Sequence, residues 1–246
     1  MDRPRSGSPV IELTAAAKLT LSLRVVGVRA DGFHLIDAEM VSLDFGDLLV
    51  VDPTGDDVQM AGPDGRDPKP APADDLVRRA LAAVGRSASV VVHKRIPSGA
   101  GLGGGSADAA AILRWGGVTD PATAVSLGAD VPFCVTGGRC RVTGIGEVVE
   151  PLGFHRRVLT LLTPPVFCST PEVYAAWDRM GAPVGEHGND LEPAALEVAP
   201  ELARWRDELG DETGLRPRLA GSGSTWWVDG EFPGPGRVVA HTIPPS

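Results

Sequence analysis

The chain holds a single tyrosine, Tyr174, and aromatic residues make up only 5% of its 246 positions. Any role that needs a phenol therefore falls on that one residue. Cysteine is almost as scarce. Cys134, Cys140 and Cys168 show no C-x-x-C and no metal-ligand spacing. An odd thiol count without a secretory segment excludes a disulfide framework and reads as reduced thiols in a cytoplasmic protein. Basic residues are in deficit, 23 Lys and Arg against 32 Asp and Glu, for a net charge of −9. Nucleic-acid and membrane-surface partners favour basic faces, so neither is expected. A local basic pocket for a nucleotide remains compatible with that balance. No apolar run approaches membrane-spanning length. Met1 to Pro9 is polar, lacks the apolar core of a signal peptide, and reads as a short disordered lead.

Glycine and proline are plentiful, 31 and 22 residues, which implies many turns. At ~150 residues per domain the length fits one large or two modest domains. Five glycines, Gly99, Gly101, Gly103, Gly104 and Gly105, run straight into the alanine-rich stretch that begins at Ser106. Glycine tolerates positive φ and lets another group approach its backbone N–H closely. A helix start adds unpaired N–H groups and partial positive charge. Together these make an anion site, and phosphate is the usual occupant.

Two familiar phosphate patterns nearly fit. Gly99, Gly101 and Gly104 satisfy the dinucleotide fingerprint G-x-G-x-x-G, which wants a turn directly off a strand and a later acidic residue for the ribose. Here Lys94, Arg95 and Pro97 intervene after the strand, and Asp120 lies in a Thr-Asp-Pro setting that reads as a helix cap. The P-loop needs a lysine after its second glycine, and Gly105 stands there instead. A plain connector would not carry five conformationally costly glycines.

Leu19, Leu21, Leu23 and Val25 alternate with Lys18, Thr20, Ser22 and Arg24, the period-two pattern of a half-buried strand. Arg29 to Gly32 marks a turn. Further strands are expected at 38–43, 48–51, 58–60, 90–93, 139–143, 147–150, 158–162, 218–220, 225–228 and 238–241. Helices are expected at 73–84, 106–115, from Pro121 to near Gly128, at 170–180, and beginning near residues 189 and 200. The segment 64–73 reads as a loop. Strands and helices mix without strict alternation, which predicts an α+β fold, with a soft domain break near 151–157.

The glycine segment, Pro97-x-Gly99-x-Gly101-Leu102-Gly103-Gly104-Gly105-Ser106-x-Asp108, resembles the phosphate loop of the GHMP kinases. Further motifs of that family appear in order. Ala16 to Leu21 resembles P-A-K-x-N-L, Arg29 to His34 resembles R-x-D-G-Y-H, and Asp75 to Ala80 resembles N-L-V-x-R-A. Leu127 to Phe133 matches L-G-A-D-V-P-F throughout, and Thr143 to Glu147 follows. Ser169 to Tyr174, Asn189 to Pro193 and Ala220 to Thr225 complete the series. Each motif is weak alone; their common order is specific.

The resemblance implies a two-domain GHMP-kinase fold. Residues 1–150 would form an N-terminal domain like that of ribosomal protein S5, and 151–246 a ferredoxin-like C-terminal domain. It implies a cytoplasmic, monomeric or homodimeric kinase of isoprenoid precursor synthesis. ATP and Mg²⁺ would be its cofactors, and a small alcohol bearing a cytidyl diphosphate its substrate. Asp130 would accept the hydroxyl proton, with Lys18 beside it. Gly101 to Ser106 would cradle the ATP phosphates, Ser106 would also meet Mg²⁺, and Gly99, Ala100 and Pro97 would belong to the same site. Lys94 and Asp75 would contact adenine or ribose. His34 would meet the cytosine edge, with Phe33 and Tyr174 near the base and Thr20 and Thr170 near the substrate. Gly221, Ser222 and Gly223 would form a loop by the substrate phosphates. The blander reading places Phe33 and Tyr174 in the core and makes Lys18 a solvated strand residue and Asp130 a turn cap.

Three positions depart from the family: Thr20 replaces its usual Asn, Phe33 its Tyr and Asp75 its Asn. After Thr225 the family's closing helix is replaced by a Gly- and Pro-rich run, Gly230 to Gly236. Other expectations compatible with these residues are a GHMP kinase for another alcohol and a nucleotide-binding sensor without catalysis. An NAD-dependent dehydrogenase is more distant.

Overall fold

A computed structural model describes residues 10–245, so the lead at Met1 to Pro9 lies outside the described residues. Two long antiparallel strands open the chain, β1 (Ile11–Val28) and β2 (His34–Asp52), joined through the expected turn at Arg29 to Gly32. The sequence pattern divides β2 in two because Asp44, Gly46 and Asp47 interrupt its apolar run. The strand instead continues through them. Gly46 lies flat against the Ala15 backbone, and the Asp47 carboxylate turns inward to buried partners.

Next come β3 (Val58–Ala61), the two-residue β4 (Lys69–Pro70), α1 (Leu76–Ala83) and β5 (Ser89–His93). β3 runs parallel to β5, with α1 as the crossover between them. α2 (Gly104–Gly116) carries the alanine-rich stretch. It begins two residues earlier than its pattern indicates, so the last two glycines of the cluster already belong to its first turn. α3 (Pro121–Leu127) follows, capped by the Asp120 carboxylate on the Thr123 N–H at 2.8 Å. The sequence reading lacks α4 (Val131–Thr136), whose six residues are too few to display helical periodicity. β6 (Arg139–Gly144) and β7 (Val148–Pro151) end this half.

The second half contains β8 (Val158–Leu162), α5 (Thr170–Arg179), α6 (Glu192–Val198) and α7 (Leu202–Thr213). It closes with β9 (Arg218–Leu219), β10 (Trp226–Asp229) and β11 (Arg237–Ile243). The strands join in the order β4-β3-β5-β2-β11-β8-β10-β9; β1 and β6 also pair β2, and β7 pairs β6. The run Gly230 to Gly236 leads into β11, which pairs antiparallel along β8 and reaches Ser42 and Leu43 of β2. One strand therefore ties the two halves together. Strands and helices mix without strict alternation, as expected of an α+β fold.

Two register shifts bracket the centre of β1. Ala16 pairs Gly46 but Lys18 pairs Ser42, and Thr20 pairs Met40 but Ser22 pairs Glu39. Irregularities of this kind re-aim side chains. Ala15 and Leu23 pack in the larger core with α1 and α2, whereas Ala17, Leu19 and Leu21 pack in a smaller one with Leu159, Leu161 and Trp227. The opposite face is also buried, at Lys18 and Thr20. Gly46 is critical to the first shift, since any Cβ there would strike the Ala15 carbonyl oxygen, a backbone atom with nowhere to move. Gly46→Ala is expected to cost about 1–3 kcal/mol of unfolding free energy in urea denaturation; a wild-type midpoint would show that the two strands separate without strain.

Candidate active site

The glycine segment becomes a nest because three of its residues take positive φ: Gly99 at 71°, Gly101 at 75° and Gly103 at 70°. Close approach requires glycine as well. A Cβ on Gly101 would lie 2.7 Å from the Gly223 carbonyl oxygen, and one on Gly103 would lie 2.7 Å from Lys18 Cγ. Gly103 is the N-cap of α2, and no side chain caps that helix. Its first N–H groups are left for a ligand, with the positive end of the helix behind them. Backbone bonds anchor the nest from two sides. The Lys18 N–H donates to the Leu102 carbonyl at 3.0 Å, and the Ser224 and Thr225 N–H groups donate to Gly99 and Ala100 at 3.2 Å each. The second glycine cluster thus abuts the first.

Lys18 reaches across the nest toward the loop before α4. Its Nζ lies 3.3 Å from Asp130 Oδ2 and donates to Thr20 Oγ1 at 3.2 Å. The lysine side chain is 6% exposed and the aspartate 33%. A buried ammonium is tolerated only when paired and hydrogen-bonded, and these two oxygens supply that. Asp130 is the N-cap of α4, yet its side chain makes no capping bond, so the carboxylate stays available to Lys18. The readings of a solvated lysine and a turn-capping aspartate are therefore corrected. Thr20 meets Lys18 through its hydroxyl, where the family's Asn would use an amide.

α5 presents Thr170, Tyr174 and Asp178 on one face, since residues four apart stack along a helix. His34, the first residue of β2, docks there. Its ring centroid lies 4.6 Å from that of Tyr174 and 5.6 Å from that of Trp177, and its Nε2 is 2.9 Å from Asp178 Oδ1. Burial and the Asp130 charge push the Tyr174 hydroxyl above the usual tyrosine pKa. Thr170 Oγ1 is 2.8 Å from Ser222 Oγ, and Asn189 Nδ2 donates to the Leu219 and Gly221 carbonyls at 3.0 and 2.7 Å, bracing the second glycine cluster. Phe33 is 55% exposed, so the reading that places it in the core is corrected. Tyr174 is partly buried and packs against the larger core.

Beneath the nest, Lys94 donates to the carboxylates of Asp47 and Asp108, the latter at 2.7 Å. Asp47 is wholly buried and also accepts from the Arg95 and Ile96 N–H groups, the latter at 2.8 Å. Burial works against the Lys94 charge, but the two carboxylates outweigh it and hold its pKa above the usual lysine value. Burial pushes Asp108 up to about 7, with Lys94 opposing and Asp47 adding to the rise. Asp108 Oδ1 is buried and has no hydrogen-bond partner. The ammonium is thus committed to two carboxylates while it lies directly under Gly104, 3.2 Å from where a Cβ would stand.

A cavity of about 780 Å³ gathers Lys18, Thr20, Phe33, His34, Lys94, Pro97, Gly99 through Ser106, Asp130, Thr170, Tyr174, Gly221 and Ser222. Two expected contacts fall outside its lining. The Asp75 carboxylate caps α1 by accepting the Val77 N–H at 2.8 Å, and a side chain on Gly223 would point toward Cys168 and Leu219. Sequence reasoning missed Asp178 and Asp47. The first was visible in principle as the next member of the series 170, 174, 178; the second had no signal, because its partners lie about 47 residues downstream. Among the described residues no group of three His, Cys, Asp or Glu side chains is placed to hold a metal by itself. No helix of the described residues is long and apolar enough to cross a membrane.

The chain is similar to known proteins over most of its length. The model of the GHMP kinases N terminal domain matches residues 75–117. The 4-diphosphocytidyl-2-C-methyl-D-erythritol kinase of Cereibacter sphaeroides is 37% identical, over 87% of this chain and 87% of that protein. The protein of the same name from Polaromonas is 37% identical over 87% and 82%. A crystal structure of 4-(cytidine 5'-diphospho)-2C-methyl-D-erythritol kinase superposes with a TM-score of 0.73 at 29% identity, over 94% of this chain and 99% of that one. A mevalonate kinase at 13% identity and a TM-score of 0.57 shares the fold.

Removing the ammonium from the triad leaves two buried carboxylates uncompensated. Lys94→Met is expected to lower the unfolding free energy by about 3–5 kcal/mol, measured by chemical denaturation. A loss within error of zero would mean that the triad does not hold the base of the nest.

Proposed function

The chain belongs to the 4-diphosphocytidyl-2-C-methyl-D-erythritol kinases, a branch of the GHMP kinases, and from that membership we propose how its residues carry out the phosphoryl transfer. The protein is a small-molecule kinase that uses ATP, and its substrate is 4-diphosphocytidyl-2-C-methyl-D-erythritol. The acceptor in our reading is the 2-hydroxyl and the donor the γ-phosphate of ATP. In our reading the N-terminal domain expected over 1–150 carries the nest and the lysine–aspartate pair, and the C-terminal domain expected over 151–246 adds Thr170, Tyr174, Gly221 and Ser222.

Phosphoryl transfer asks a protein for positioning and charge stabilisation more than for covalent chemistry. The backbone N–H groups of Gly101 to Ser106 cradle the phosphates of ATP. Asp130 accepts the proton of the attacking hydroxyl. Lys18, 3.3 Å away, pairs with that carboxylate and offers positive charge to the group in transit. His34, Tyr174 and Phe33 hold the cytidyl end, and Thr170 and Ser222 lie between it and the reacting centre. Lys94 supports the nest from below, and its remaining reach into the cavity fits a ribose or adenine contact.

Mg²⁺ fits this site. It takes oxygen ligands, keeps much of its water, and is commonly held by one or two protein groups together with substrate phosphates. The Ser106 hydroxyl is the oxygen donor that would meet it beside the nest, where the ion would neutralise phosphate charge. The buried, unpaired thiols of Cys134, Cys140 and Cys168 support a reducing, cytoplasmic setting.

One observation carries this mechanism: an ammonium and a carboxylate from distant parts of the chain meet at the lip of the phosphate nest inside a single cavity. Asp130→Asn is expected to lower turnover by ~10²–10⁴-fold while leaving ATP affinity within about threefold, checked by steady-state kinetics and calorimetric titration. Near-normal turnover in that variant would remove Asp130 as the base. A wild-type protein that binds ATP but phosphorylates no acceptor would favour the sensor reading.

A further inference from the structure

We propose that Phe167 is a positioning residue for the glycine nest, and that through it the segment 163–169 couples ATP binding in the nest to acceptor binding along α5. The inference deepens the reading above and rests on ATP lying in the nest and the acceptor lying beside α5.

Phe167 is 71% exposed. A lone apolar side chain at a surface needs no explanation by itself; this one is singled out by where it lies. Its ring occupies the space that a side chain on Gly99 would fill, since a Cβ there would stand 2.5 Å from Phe167 Cδ2 and 2.8 Å from Cε2. The next residue, Cys168, is buried and has its Sγ 3.3 Å from where a Cβ on Gly223 would stand. Adjacent residues of one segment therefore touch both glycine clusters. The segment links β8 to α5, and both of its flanks are tied to the second cluster. Thr163 Oγ1 lies 2.8 Å from Thr225 Oγ1, and Thr170 Oγ1, at the start of α5, lies 2.8 Å from Ser222 Oγ. Among the described residues the cavity lining includes Thr170 and Tyr174 but not Phe167, so the phenyl ring acts through Gly99 rather than on a ligand.

Glycine loses more conformational freedom on ordering than any other residue, so a loop of glycines is costly to set around phosphates. A ring against Gly99 restricts its backbone near the observed φ of 71°. The same segment runs directly into α5, so an acceptor that holds α5 in place also holds Phe167 against Gly99. Part of the ordering of the nest is then complete before ATP arrives. A ligand that meets a site already ordered binds more tightly without any new contact. By linkage ATP returns the same factor to the acceptor.

The test measures calorimetric affinity for the non-hydrolysable analogue adenylyl imidodiphosphate, with and without saturating cytidyl substrate. In the wild-type enzyme the substrate is expected to tighten analogue binding by ~5-fold or more. Phe167→Ala is expected to bring that factor within about twofold of unity, with an unchanged thermal midpoint and turnover preserved when both substrates saturate. Phe167→Leu keeps an apolar cover on Gly99 and is expected to retain the coupling. Hydrogen exchange of the Gly99 to Gly101 amides should quicken in unliganded Phe167→Ala and not in Phe167→Leu. No coupling in the wild type, or an equal factor in Phe167→Ala even if that variant binds the analogue more weakly, overturns the proposal. Wild-type enzyme that binds neither the analogue nor the cytidyl substrate overturns instead the reading beneath it.

Discussion

The junction between β1 and the glycine nest is the constraint on which the rest depends. The Lys18 N–H binds the Leu102 carbonyl, and the Lys18 side chain lies in the space that a side chain on Gly103 would fill. A strand from the start of the chain and a loop some 80 residues later are thereby held at backbone distance. That closeness places a buried ammonium at the lip of the glycine nest. It also explains why the loop is glycine where it is: the gaps exist for a neighbouring side chain on one side and for the backbone of the second glycine cluster on the other.

Charge is managed in two layers around this junction. The upper layer, Lys18 with Asp130 and Thr20, faces the cavity and is partly wet, so its carboxylate remains open to that cavity. The lower layer, Lys94 with Asp47 and Asp108, is drier and is tied to the N–H groups of Arg95 and Ile96. Buried ion clusters add little net stability compared with a well-packed apolar core, but leaving one member unpaired is severe. Their use here is geometric. The lower layer fixes the approach from β5 to the nest, and the upper one works within that frame.

Much of the element map was legible. The alternation in β1, the Thr-Asp-Pro start of α3, the alanine run of α2 and the short strands of the second half each express a local pattern that survives in the folded chain. The failures are equally local in origin. β2 looked divided because Gly46 and Asp47 break its apolar run, and only contacts with Ala15, Lys94 and Ile96 show why a strand tolerates them there. α4 is too short to reveal a period. Lys18 was open to a solvated reading because alternation reports which residues share a face, not whether that face looks into water or into a cleft. Among the site residues, ordered motifs brought Lys18, Asp130, His34 and Tyr174 forward. Asp75 and Gly223 came forward with them but fall outside the cavity lining, since a motif position specifies a neighbourhood rather than a direction.

The amino-acid sequence by itself determined the glycine nest, because glycine spacing and a following helix are properties of a few adjacent residues. It also determined the family, through the order of its motifs. Tertiary structure alone decided which charges meet. Lys18 and Asp130 lie far apart along the chain, as do Lys94 and Asp47 and also His34 and Asp178. Their partnerships arise from strand register, from the shifts that re-aim β1 and from the seating of α5, and electrostatic interaction depends on distance through space rather than along the chain.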